Sequence, residues 1–190
     1  MTKSISGLMG LIYEVEELDR LTTCSGDWDR FAQENGWFSG SWGNLTSSTL
    51  WDHITDLTTQ KLYRRLMAQV RQENKELTFD LRCDSPWLQR YLRMTLEPGS
   101  GTDWVRFCSR PVRLQPHNLP YRFNFLKEPQ PGAHSFCSFC NQVEFGGLWK
   151  QISNPTSRLK VPQSSLTLVA QTCPSCAQRL GVLVGQPPPL

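Results

Sequence analysis

Four of the seven cysteines stand in two pairs, Cys137/Cys140 in "FCSFC" and Cys173/Cys176 in "TCPSC". A two-residue spacer lets both thiolates of a pair point at one ion, and four thiolates complete the closed tetrahedral shell of a structural zinc. The 32 residues between the pairs, 141–172, are enough for a hairpin or small loop domain gathered at its base by the metal. The competing readings are disulfides, buried small hydrophobes and redox-active thiols. Seven is an odd number for a disulfide framework, and the apolar run in "MTKSISGLMGLIYEVEELDR" is too short for a secretory leader. A reducing, cytoplasmic setting is therefore expected, where disulfides are rare. Iron is the rival to zinc; rubredoxin-like sites usually carry Gly after the second Cys of each pair, where Asn141 and Ala177 stand here.

Other residue types with chemical capacity are isolated. His53 in "LWDHI" is a weak candidate for contacting haem or a small ligand, against the plainer reading of a surface, hydrogen-bonded histidine. His117 and His134 lie beside the cysteine segment and could each replace a thiolate, but four thiolates already suffice. Cys24, Cys83 and Cys108 alternate with strand residues and read as small core or near-surface side chains. "SGSWG" around Ser41 lacks the order of a nucleophile elbow. Asp27/Asp29 and Glu14/Glu16/Glu17 have no partnered histidine, so capping and an exposed strand edge are expected of them. No catalytic residues are assigned, and an enzyme is not expected.

The elements that position these residues follow from periodicity. Residues 11–24 read as two short strands, and "GDWDRFAQENG" as a short helix capped by Ser25 or Asp27 and closed by Asn35-Gly36. "WFSGSWGNLTSS" reads as irregular loop and "TLWDHI" as a single helical turn. From Leu57 to Lys75, Leu62, Tyr63, Leu66, Met67 and Val70 form one helical stripe, with Lys61, Arg64, Arg65, Gln69 and Arg71 on a solvated face. The period then changes to two in "LTFDLRC", "YLRMTLE" and "DWVRFCSR", with turn signals "DSPW" and "PGSG" between them. The predicted architecture is α+β: a five-stranded antiparallel sheet with helices on one face, followed by a small metal-bound lobe.

The expected organisation is a sandwich over 1–114, a Pro-rich linker over 115–135, the cysteine lobe over 136–182 and a disordered tail over 183–190. Within the linker Tyr121, Phe123 and Phe125 alternate, the pattern of a strand laid against one of its neighbours. Residues 1–116 carry 14 Lys and Arg against 15 Asp and Glu, and residues 117–190 carry 6 against 2, so the small excess of positive charge is in the tail. Dispersed charges of this number are usually solvated surface, and no Lys/Arg stripe interleaved with aromatics marks a nucleic-acid interface. No apolar segment approaches the roughly 20 residues of a membrane span.

Three segments carry a resemblance. "CSGDWDRFAQENG", "SSTLWDHITD" and the "LTFDLRCD…LRMTLEP" hairpin resemble a bacterial PAS domain over roughly residues 11–114, although "NLTSSTLWDHI" lacks the usual Gly-Arg. "FCSFCNQVEFGGLWKQI" followed by "TCPSCAQRL" resembles the C-terminal, zinc-ribbon-like cysteine segment of some bacterial PAS and signalling proteins, with Cys137, Cys140, Trp149, Cys173, Pro174 and Cys176 matching. The basic residue usual after the first pair is Asn141 or Gln142, and the His-Gly before the second pair is Gln171-Thr172. The resemblance implies a sensory or regulatory module: a small ligand or partner domain held between sheet and helices, a protein partner in a signalling pathway, and homodimerisation. No kinase, cyclase or helix-turn-helix output is expected after residue 116, no "N-C-R-F-L-Q"-like helix supports flavin photochemistry, and the long helix offers no haem-ligating histidine. Two alternatives stay open: a nucleic-acid-associated zinc-ribbon regulator, which would bind with steep salt dependence, and a thiol redox switch that releases its metal on oxidation.

Overall fold

The computed structural model describes residues 10–25, 28–34, 38–46, 48–84, 88–116, 123–151 and 166–185. Strands β1 (Ile12–Val15) and β2 (Leu21–Cys24) lead through helices α1 (Trp28–Glu34), α2 (Trp42–Leu45) and α3 (Leu57–Glu73) to β3 (Leu77–Arg82), β4 (Leu88–Pro98) and β5 (Val105–Pro116). The five strands form one antiparallel sheet in the order β2-β1-β5-β4-β3. Its register explains the alternation. Leu77 pairs with Leu96, Phe79 with Met94 and Leu81 with Leu92, so β3 and β4 share an apolar face, and Leu96 carries it on to Phe107 of β5. Leu62, Leu66, Met67 and Val70 of α3 are buried with Phe79, Met94, Leu96, Val105 and Phe107 in one core.

Helix α3 starts at Asp56, whose carboxylate accepts from the amides of Thr58 (3.1 Å) and Thr59 (2.8 Å). It ends at Glu73, two residues short of the expected Lys75, because Asn74, its C-cap, turns left-handed at φ 51°. Its basic face is not simply solvated. Arg71 donates to Asp19 at 2.8 Å and to the Glu16 carbonyl at 2.9 Å, and Arg64 lies 3.8 Å over the Trp51 ring, so both tie the helix to the β1–β2 turn and its neighbours.

The glycine- and serine-rich loop also holds more structure than its composition implied. A 3-10 turn at Phe38–Gly40 and the short α2 form where Asp29 accepts from the Trp42 amide (2.6 Å), the Trp28 indole donates to the Gly40 carbonyl (2.8 Å) and Leu45 is buried. A buried side chain and two anchored backbone groups outweigh the local preference for irregular chain. Of the two caps expected for α1, Asp27 lies outside the described residues, and Ser25 serves through its carbonyl, which accepts from Trp28 at 3.2 Å.

A second sheet follows, built from β6 (Phe123–Leu126), β7 (His134–Cys137), β8 (Gln142–Phe145), β9 (Leu148–Gln151) and β10 (Leu166–Gln171) in the order β6-β10-β7-β8-β9. Strand β10 runs parallel to both neighbours, while β7, β8 and β9 form an antiparallel meander. The tight turn between β8 and β9 uses Gly146 and Gly147 at φ 59° and 82°, the left-handed pair a two-residue hairpin needs. The stretch expected to be linker therefore contributes strands: β5 runs on to Pro116, and Phe123 and Phe125 pair with Leu166 and Leu168. Their alternation was the visible signal; their partner, 40 residues further on in sequence, was not. Helix α4 (Pro174–Leu183) closes the described chain, and Tyr121, His117 and the final "QPPPL" lie outside the described residues. Among the described residues no helix is long and apolar enough to cross a membrane.

Candidate metal centre

The two cysteine pairs come from different local structures. Cys137 ends β7 and the chain turns through residues 138–140 to Cys140, with the Asn141 amide donating back to the Cys137 carbonyl at 2.9 Å. Cys173 is the N-cap of α4, Pro174 takes the first helical position where its missing N–H costs nothing, and Cys176 lies in the first turn. The Ala177 amide donates to the Cys173 carbonyl, also at 2.9 Å. Two turns of like shape thus present their thiols to each other.

All four sulfurs lie within 4.8 Å of one another, and Cys140 Sγ and Cys173 Sγ are 3.8 Å apart. A tetrahedron of sulfurs about a metal at 2.3 Å has edges of about 3.8 Å, so the four residues fit one ion. Amides already point at the sulfurs: Cys173 donates to Cys137 Sγ and Cys176 to Cys173 Sγ, each at 3.4 Å. Cys137, Cys173 and Cys176 are buried and Cys140 is half-buried. Sulfurs this close cannot share negative charge freely. Hydrogen bonds from the Cys140 and Cys176 thiols pull Cys137 far below the usual thiol range, and the same contacts push Cys140 and Cys176 up. A divalent cation at the centre would let all four carry charge together.

Asn141 sharpens the sequence argument about the metal. It sits at φ 57°, the left-handed region where glycine is usual, so asparagine does that job here. With its amide turned to satisfy both neighbours, its side chain also donates to the Arg82 carbonyl and accepts from the Asp84 amide, both at 3.2 Å. The missing glycine therefore says little about zinc against iron.

The centre does not hang from the sandwich as a separate appendage. Cys137, Phe139, Cys173, Cys176 and Leu180 belong to the same buried core as α3 and the first sheet. Phe139, between the cysteines of the first pair, stacks on Tyr63 of α3 (centroids 5.4 Å) and meets Phe79 of β3 edge-on (6.2 Å). The Arg82 amide donates to the Phe139 carbonyl at 2.8 Å, and the Arg82 guanidinium pairs with Asp84 and with Gln151 of β9, whose amide reaches the Cys140 carbonyl at 3.2 Å. Thr172 and Thr59 share a buried hydroxyl contact of 2.9 Å, and Arg179 of α4 donates to the Asp80 carbonyl at 3.0 Å. The first turn of α3 and the end of β3 are thereby fastened to the cysteine turns. Sequence reasoning missed Phe139; an aromatic inside a CxxC spacer was the available signal.

The other singled-out residues lie elsewhere. His53 is exposed beside a 3-10 turn, its ring nitrogen 2.7 Å from Ser48 Oγ, and so does not enter the interior where a ligand was envisaged. That interior holds a run of rings instead: Trp28, Tyr13, Phe107, Tyr63 and Phe139 at successive centroid distances of 5.6, 4.7, 6.2 and 5.4 Å. His134 packs on Phe145 (4.5 Å) and meets the Glu144 carbonyl at 3.1 Å, within the second sheet and not among the clustered sulfurs. Cys83 and Cys108 are thiols held up by burial, Cys108 to about 11 with Glu97 adding to the effect, and neither joins the cluster. The chain matches no protein-family model and no curated protein in sequence.

Proposed function

We propose that the chain is a PAS-like regulatory module that acts by contact with a protein partner, and that its second sheet is held by one structural zinc on Cys137, Cys140, Cys173 and Cys176. The carrying observation is the fit of four sulfurs, within 4.8 Å of one another, to one ion in a core continuous with the sandwich. The antiparallel five-stranded sheet with helices on one face supports the sensory half of this reading, since that is the arrangement the sequence resemblance implies. Four thiolates close the shell and leave no open coordination position, which favours a structural metal over a catalytic one. Zinc there would neutralise the thiolates and cross-link β7 to α4. Cys137 and Cys173 each accept from a backbone amide within the shell, and the Gln151 side chain and the Asn141 amide hold the first turn through the Cys140 and Cys137 carbonyls.

Native mass spectrometry of the full chain tests the reading. The expected spectrum has one zinc per chain, removed by a strong chelator, on a homodimer. A chain that binds no metal as purified and takes up none from a zinc-containing buffer overturns it.

A further inference from the structure

We propose that the outer face of the first sheet, centred on Arg110 and Arg113, is a docking surface for an acidic segment of the partner protein. The proposal rests on the reading of the chain as a module that acts by contact with a protein. Helix α3 and the apolar residues of β3, β4 and β5 take the inner side of this sheet. The outer side carries rows of charge that run across the strands: Glu97 beside Arg106, Asp80 beside Arg93 beside Arg110, and Arg82 beside Tyr91 beside Arg113. The arginines come from three strands, so no stripe of them is visible along the sequence.

Arg113 reaches this face through a bulge. It is three residues from Arg110, a spacing that turns two side chains to opposite faces of a regular strand. The register of β4 against β5 shifts between Tyr91 and Leu92: Leu92 stands opposite Pro111 and Tyr91 opposite Arg113, which leaves Val112 as an extra residue on β5. Pro111, with no amide to give the ladder, stands beside the break. The bulge brings the Arg113 guanidinium 3.8 Å over the Tyr91 ring, which Arg82 also approaches at 5.1 Å.

Two of the five arginines lack a carboxylate. Arg82 pairs with Asp84, Arg93 with Asp80, and Arg106 with Glu14 and Glu97. Among the described residues Arg113 has only the Tyr91 ring and Arg110 has no ion pair or hydrogen bond, and both are exposed. Arg110 also stands directly opposite Arg93, and like charges opposed across an antiparallel pair cost stability. An incoming carboxylate reverses that cost. The ring holds Arg113 in place while its N–H donors stay available, and a guanidinium grips a carboxylate through two parallel bonds.

The same face selects against nucleic acid. The side chains of Asp80 and Glu97, 59 % and 32 % exposed, lie among the arginines and repel an unbroken line of phosphates. A peptide can place its acids over Arg110 and Arg113 and keep them away from those two carboxylates. The Tyr91 ring is already covered by a guanidinium, so it offers no platform for a base. A surface of mixed sign with two open cations sets the partner and its register more than it sets raw affinity.

The probe is a fluorescein-labelled peptide of alternating glutamate and serine, titrated into the full-length chain, with oligothymidine of equal charge as the rival. The wild type should bind the peptide saturably and more tightly than oligothymidine, and raising the salt should weaken the complex. The double variant Arg110→Ala/Arg113→Ala should bind the peptide at least about tenfold more weakly. Lys61→Ala/Arg65→Ala, which removes equal charge from exposed positions on α3, should bind as the wild type does. In the wild type the peptide should shift the amide resonances of Tyr91, Arg93, Arg110 and Arg113 and leave those of Leu62 to Val70 unmoved. That mapping decides alone should the Arg110→Ala/Arg113→Ala chain fail to fold. The proposal is overturned if the peptide does not bind, if both double variants lose affinity equally, if the shifts map elsewhere, or if oligothymidine binds more tightly through the same arginines. No binding or shifts mapping elsewhere would remove this surface and leave contact with a protein partner to other faces, whereas tighter oligothymidine would count against a protein partner itself.

Discussion

The two sheets have the same number of strands and reach stability by different routes. The first encloses Val15, Leu66, Met67, Val70, Leu96, Val105 and Phe107, each at most 1 % exposed, between a sheet face and a 17-residue helix. Among the described residues the second has a separate core of just Val143 and Leu168, ringed by half-buried Phe123, Phe136, Phe145 and Leu166, with Phe125 and Leu148 more than half exposed. Apolar burial at about 25 cal/mol per Å² can carry the first sheet. A small sheet with so little interior needs a staple, and a metal ion on the four cysteines would supply one. The difference shows why the cysteine turns are fastened to α3 and β3: they borrow the larger core that their own sheet lacks.

The largest test of this contrast removes the staple. Cys140→Ser should abolish metal binding worth on the order of 10 kcal/mol to the second sheet. Amide exchange should show β6–β10 and α4 losing protection, while β3, β4 and β5 keep theirs. The sandwich should not be untouched, because the Arg82 amide and the first turn of α3 lose their partners on the cysteine turns. Full protection of β7 and β10 in the variant would mean that the sheet stands without metal and that the two regions are alike after all.

Next in size is a pair of cavities. Leu66→Ala, at a site with no exposure, should cost about 3–5 kcal/mol and lower the melting temperature of the whole chain. Leu168→Ala, equally buried, should shift the unfolding of the zinc-loaded second sheet alone and leave the main transition in place. Calorimetry distinguishes the outcomes. Equal shifts of one shared transition would show that the common core makes a single cooperative unit.

Much of the sandwich was legible because period-two and period-3.6 patterns are local: Leu77, Phe79 and Leu81 declare a strand and Leu62, Leu66 and Val70 a helix face wherever they occur. The clustering of the cysteines was legible for a related reason, since a CxxC spacer is a local geometric constraint that needs only a second copy. What was not legible depends on partners distant in sequence. Phe123 and Phe125 hinted at a strand, but its pairing with Leu166 and Leu168 crosses some 40 residues. Arg64 and Arg71 looked like ordinary surface charge until the fold brought Asp19 to them. Phe139 looked like spacer because its contacts, Tyr63 and Phe79, are set by how the cysteine turn meets the sandwich and by nothing in its own neighbourhood.

The smallest effect expected is confined to the first region and is electrostatic. Glu14, on the outward face of β1, is 4 % exposed and accepts from Arg106 Nε and Ser100 Oγ, both at 2.7 Å. Burial alone would raise its carboxyl, but the hydrogen bonds from Ser100 and Arg106 and the Arg106 charge win and hold it below the usual range. In acid the folded chain therefore binds fewer protons at this site than the unfolded one. The stabilisation is complete above the unfolded carboxyl value of about 4.3 and is lost as pH falls through the lower folded value. Glu14→Gln should lower stability near neutral pH by about 1–3 kcal/mol and flatten the acid limb of the first region's unfolding curve. The second sheet's transition should move with pH as in the wild type. An acid limb of unchanged slope in the variant would assign that limb to other carboxylates, such as Asp80, which its hydrogen bonds with Arg93 also hold low.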